Sequence, residues 1–71
     1  MKHYVLDIET YNDGTNDAKS VYEYATKDEA VASFHARMGS AMRNAACSGV
    51  LCLAISQDGD CHAQEYWQRS E

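Results

Sequence analysis

The sequence predicts an α+β fold, ββαββ, with a four-stranded antiparallel sheet in the order 2-1-3-4 and one helix packed on one face. Three observations predict it. His3 to Tyr11 alternates as a strand does, Thr26-Lys27-Asp28-Glu29 opens an amphipathic helix, and Val50 to Trp67 reads as a hairpin turning at Asp58-Gly59. Residues 1–71 are expected to form a single domain.

Taking the elements in order, the first strand places Tyr4, Leu6 and Ile8 on one face and His3, Val5, Asp7, Glu9 and Tyr11 on the other. The first set is the more apolar and is expected to form the core. Asn12 to Asp17 is a turn-rich loop, because Asn, Asp and Gly tolerate positive φ and bond their own backbone. Ser20 to Ala25 returns as the second strand. A right-handed crossover from it to the third strand lets strand 1 sit between the two.

Thr26-x-x-Glu29 is a capping box, so the helix starts at about Lys27. Ala30, Val31, Phe34, Met38, Ala41, Met42 and Ala45 recur at helical spacing and are expected to face the sheet, with Ser48-Gly49 as the stop. Ala32, Ala36, Gly39 and Arg43 gather on the opposite side. Gly39 stands out there, since glycine inside a helix costs about 1 kcal/mol relative to alanine, and it suggests a close helix-to-helix contact.

Polarity argues the hairpin register. A two-residue turn sets Leu51, Leu53 and Ile55 beside His62, Gln64 and Tyr66, whereas a three-residue loop with Gly59 in a bulge sets them beside Cys61, Ala63 and Trp67. The second register gives the more consistent apolar face and is the one expected. The face away from the helix then carries Val5, Tyr11, Val50, Cys52, Ala54, His62 and Tyr66, with Asp7, Glu9 and Gln64 among them.

A chain of 71 residues has a small core, worth about 3–5 kcal/mol of net stability, and a partner that adds burial is expected. The formal net charge of -5, with six Lys and Arg, argues against binding nucleic-acid backbones by general electrostatics. Asp7 and Glu9 interrupt the apolar N-terminal residues before a signal core forms, and no run approaches a membrane span. A cytoplasmic protein with three reduced, metal-free cysteines is the expectation.

No motif carries chemistry outright. Val5-Leu6-Asp7-Ile8-Glu9-Thr10 resembles the first metal-binding motif of proofreading exonucleases of the DnaQ type, but that site needs further carboxylates from distant segments. Asp7 and Glu9 therefore read as a solvated strand face. Cys47, Cys52, Cys61 and His62 are zinc-ligand types without paired spacing, and the cysteines read as small hydrophobes. His35 sits at the edge of the helix stripe, and Asp13 to Asp17 lacks the alternation of a calcium loop.

Taken whole, Tyr4-Val5-Leu6 with Ile8 opening a strand, Thr26-Lys27-Asp28-Glu29-Ala30 starting a helix, Phe34-His35 within it, and a hairpin around Asp58-Gly59 leading to Glu65-Tyr66 resemble a family of small uncharacterised accessory proteins of bacteriophages and prophages of Gram-positive anaerobes. The resemblance spans most of the chain and carries no site residues over. It implies a non-catalytic, oligomeric binding protein with a counter-defence role, which blocks a host protein or sequesters a host signal molecule without a cofactor. The residues expected to meet a partner are Val5, Tyr11, Cys52, His62 and Tyr66 on the uncovered face, and Gly39 on the helix back. Arg37, Arg43, Lys27 and the helix N-terminus are the donors open to an anion. A homodimer through either face is expected. The alternatives are an assembly protein without a ligand, and a small enzyme that gathers groups such as His62 and Asp7 across subunits.

Overall fold

The computed structural model describes residues 1–18 and 21–70. Strand β1 (His3–Tyr11) is central to the sheet. On one side it pairs with two short segments, β2 (Asn16–Ala18) at its C-terminal end and β3 (Tyr22–Tyr24) at its N-terminal end. On the other side it pairs along its whole length with β4 (Cys47–Ser56), and β4 pairs with β5 (Cys61–Gln68). Every pairing is antiparallel. The expected order 2-1-3-4 is observed, with β3 inside the expected second strand and β2 as a further short segment on the same edge of β1, beginning at Asn16 within the stretch expected as loop. Ser20 lies outside the described residues.

The loop after β1 is built by its own polar groups. Asp13 Oδ1 accepts from the Thr15 N–H at 3.0 Å and from its hydroxyl at 2.7 Å, and these bonds hold the Asp13 carboxyl below its ordinary pKa.

Helix α1 (Lys27–Arg43) begins where the capping box places it. Thr26 Oγ1 accepts from the Glu29 N–H at 3.2 Å, and the Glu29 carboxylate accepts from the Thr26 hydroxyl at 2.9 Å. The C-terminus corrects the sequence reading. Asn44 is the cap, in extended conformation, and Ser48-Gly49 belongs to β4. Arg69 accounts for the early stop: its Nη2 donates to the Met42 and Asn44 carbonyls at 3.1 and 3.0 Å, and its Nε donates to the Cys47 carbonyl at 3.1 Å. A cation on the orphan carbonyls of the last turn does what an αL glycine does elsewhere. With the helix this short, Ala30, Phe34, Met38 and Ala41 are buried, while Met42 is exposed and Ala45 lies beyond the last turn.

The helix covers the face opposite to the one expected. Buried beneath it are Val5 and Asp7 of β1 and Cys47, Val50, Cys52 and Ala54 of β4. Tyr4, Leu6, Ile8, Leu51, Leu53 and Ile55 are on the uncovered side. Volume explains the choice. The helix brings Phe34 and Met38, and the sheet answers with valine, cysteine and alanine, so the layers interdigitate at close range. Leucines and isoleucines facing the same two side chains would overfill the gap.

The hairpin reconciles both registers weighed from sequence. Gln57, Asp58 and Gly59 form a three-residue loop, closed by the Ser56 N–H to the Asp60 carbonyl at 2.9 Å, with Gly59 at φ 94°. The αL conformation there calls for glycine. Ile55 accordingly faces Cys61, as expected. One residue later a second bulge intervenes, because Ala54 pairs with Ala63 and leaves His62 as the extra residue. Beyond it Leu53 faces Gln64 and Leu51 faces Tyr66, contrary to the expected pairing with Ala63 and Trp67.

Candidate functional site

Alternation along three strands assembles one apolar face. Tyr4, Leu6 and Ile8 of β1 lie opposite Ile55, Leu53 and Leu51 of β4, which in turn face Cys61, Gln64 and Tyr66 of β5. The chain's one described helix occupies the other side, so these side chains meet solvent. At their centre is a shallow depression of about 110 Å³ lined by Leu6, Ile8, Leu51, Leu53 and Gln64. Among the described residues its lining holds no charge, and the Gln64 amide is its polar group. Beside it stands Tyr66, 64% exposed, whose hydroxyl reaches Gln68 Oε1 at 3.5 Å, the outer limit of a hydrogen bond. At the rim Glu23 lies opposite Tyr4 and pairs with Lys2 at 3.3 Å.

A polar cluster lies under the helix. Asp7 is 2% exposed, and its Oδ2 is 3.8 Å from Arg37 Nη1. The guanidinium lies 3.4 Å above the Tyr22 ring and donates through Nε to Ser33 Oγ at 3.2 Å, which also accepts from the Tyr24 hydroxyl at 2.7 Å. Burial would lower the Arg37 pKa, but the neighbouring Tyr24 and Tyr22 phenols and Asp7 outweigh it, and the pKa stands above the ordinary value. The Tyr24 phenol is held below its ordinary value, first by the Ser33 bond. Burial, then the charge of Asp7, pushes the Cys52 thiol up to about 11. These contacts join α1 to β1 and β3.

At the far end of the same face His3 Nδ1 and His62 Nε2 are 3.0 Å apart. The ring centroids are 5.1 Å apart, close to that distance plus two ring radii, so the nitrogens point at each other. This is a hydrogen bond, with one ring donating to a neutral partner, and not a pair converging on a third atom. It fixes the His62 bulge against β1.

The structure thus separates the residues expected to form one site. Val5 and Cys52 are fully buried beneath the helix, which corrects their assignment to the open face. Tyr11 is half-buried on the helix side and donates to Glu9 Oε2 at 2.6 Å. His62 is occupied by His3. Of the residues assigned to the uncovered face, Tyr66 and Gln64 are found there. Asp7 is not the solvated residue expected, and Arg37 is committed to it rather than open to an anion. Arg43 is exposed and folds back along the helix, with its Nη1 3.2 Å from where a Gly39 Cβ would stand. Gly39 makes room for that guanidinium, a local reason the sequence reading lacked. His35 is exposed, its ring edge-on to Phe34. Cys47 and Cys52 are buried on the helix side, and Cys61 is exposed on the other. No group of three or more His, Cys, Asp or Glu placed to hold a metal occurs among the described residues.

Sequence reasoning missed the partners of Asp7. The signal was present in two spacings: Tyr22-x-Tyr24 puts both phenols on one strand face, and Ser33 and Arg37 share one helix face. The chain matches no family model, no curated protein and no solved structure. Among the described residues no helix is long and apolar enough to cross a membrane.

Proposed function

We propose that this chain is a non-catalytic binding protein whose working surface is the uncovered sheet face. The observation that supports it is the sorting of side chains: the larger aliphatic residues of β1 and β4 lie on the face without a helix, and the smaller ones under it. An apolar sheet face of this kind is a contact surface. The resemblance to phage accessory proteins supports a counter-defence role in the cytoplasm. Of its two forms, blocking a host protein fits better than sequestering an anionic signal, because Arg37 is committed to Asp7 and the depression is lined without charge. The burial of Asp7 beneath the helix counts against the small-enzyme reading.

The test is a capture experiment with wild-type and Leu51→Glu/Leu53→Glu proteins as baits in extracts of Gram-positive anaerobes. A partner held by wild type and lost from the double variant, with both baits folded by circular dichroism, supports the reading. Equal capture by both removes the sheet face as the working surface.

A further inference from the structure

We infer that the occupant of the uncovered sheet face is a second copy of this chain, docked face to face with Tyr66 of each protomer seated in the other's depression. The inference rests on the reading of that face as the working surface, and deepens it: a host protein that binds there does so by displacing the second copy. Three observations carry it.

The face is complementary to itself. It presents an exposed phenol and an apolar depression side by side, so a two-fold axis between them delivers each ring to the partner's hollow at once. A knob and a hole on one surface close as a dimer and leave neither over.

Size and polarity agree. The depression measures about 110 Å³, and a cavity of roughly 150 Å³ takes a benzene ring, so one ring partly projecting from it is accommodated. Gln64 in the lining supplies a partner for the phenolic hydroxyl, which within one protomer has the 3.5 Å contact to Gln68 alone among the described bonds. A buried tyrosine hydroxyl calls for such a partner.

Area and charge allow it. From Tyr4 to Thr10 along β1, and across four strands, the face measures roughly 23 by 19 Å, so two flat faces together cover about 870 Å², just under the roughly 1,000 Å² lower bound of a specific interface. The chain is acidic overall, yet this face meets its copy through Leu, Ile, Tyr and Gln, and its rim acid Glu23 is paired with Lys2. Like-charge repulsion is thus kept at the periphery, where salt screens it.

Sedimentation equilibrium and photo-crosslinking test the inference. Wild type is expected as a dimer at tens of micromolar. Tyr66→Ala and Leu53→Glu should each raise the dissociation constant by about tenfold or more, while Ala36→Glu on the helix back leaves it unchanged. With p-benzoylphenylalanine at position 66, the crosslink should map to the partner's β1 or β4 near Leu6, Ile8, Leu51 or Leu53. Tyr66→Ala removes an exposed ring and keeps the test valid if Leu53→Glu fails to fold. A wild type that is monomeric at several hundred micromolar overturns the dimer and leaves the capture experiment to decide the working surface. A dimer that survives both Leu53→Glu and Tyr66→Ala, or crosslinks elsewhere, overturns the dimer geometry and leaves the sheet face to the capture experiment.

Discussion

Arg37 Nη1 lies 3.8 Å from Asp7 Oδ2 in the layer between helix and sheet, with the guanidinium stacked on Tyr22. The carboxylate is almost wholly out of water, and the cation beside it offsets part of the cost of burying it. Arg37→Ala should cost about 3 kcal/mol, since it removes the cation beside a buried charge. Arg37→Lys should cost less, because it keeps the charge and loses the planar stack on Tyr22. Urea midpoints for the two variants check the order, and a midpoint for Arg37→Ala equal to wild type would show that Asp7 does not depend on Arg37.

Phe34 is 3% exposed and, with Met38, fills the space above the small residues of β1 and β4. Phe34→Ala should cost about 3–5 kcal/mol, comparable with the whole stability of so small a core. The variant is expected to be largely unfolded at 25 °C by circular dichroism, whereas a folded variant with an unchanged urea midpoint would place Phe34 outside the core.

The three thiols sit in different surroundings. A thiol reagent should label Cys61 quickly in the native protein and reach Cys47 and Cys52 after unfolding. Mass spectrometry after brief labelling reads the site directly. Cys52 also predicts a pH dependence. Its pKa rises from 9.0 in the unfolded chain to about 11 in the fold, so its contribution to stability is full below pH 9 and is lost as the pH climbs to 11. Tyr24, shifted downward, works in the opposite sense near its own ordinary value. Comparing wild type with Cys52→Ala isolates the thiol: the wild type should lose more stability between pH 9 and 11 than the variant.

Gly39 should tolerate a side chain. A Cβ there would approach the guanidinium of Arg43 at 3.2 Å, the far end of a flexible side chain that swings aside at little cost. Gly39→Ala should therefore stabilise the protein by about 0.5–1 kcal/mol through the unfolded chain and helix propensity. Thermal denaturation measures it. A destabilised variant would show that Arg43 is held in place by more than its own helix.

Elements set by near neighbours were legible in the sequence. The Thr26-Glu29 capping box fixed the helix start at Lys27, the polar cluster Asn12 to Asp17 marked the end of β1 although its last two residues pair as β2, and Asp58-Gly59 gave the three-residue loop. Each depends on a few adjacent residues whose backbone preferences act alone. The helix stop was not legible in the same way, because the group that satisfies its last carbonyls is Arg69, brought back by β5 from the far end of the chain.

The candidate site was legible in Tyr66 and Gln64 and not in the rest, for a related reason. In β4 the run Val50-Leu51-Cys52-Leu53-Ala54-Ile55 is apolar on both faces, so alternation alone does not say which face takes the helix. Asp7 and Glu9 made one face of β1 look wet, and only the arrival of Arg37 and Ser33 over β1 and β3 made that face habitable for a helix. The His62 bulge, fixed by His3 across the sheet, then shifted β5 by one residue and turned Gln64 and Tyr66 onto the open side.

By itself, then, the sequence determined β1, the helix start, the terminal hairpin and the order of the strands, since period, caps and turn residues act over a few positions. The tertiary structure decided which face is core and which is open. That choice rests on the fit of Phe34 and Met38 against small sheet residues, on a buried ion pair, and on a bulge. All three are contacts between residues far apart in the chain, where no local preference reaches.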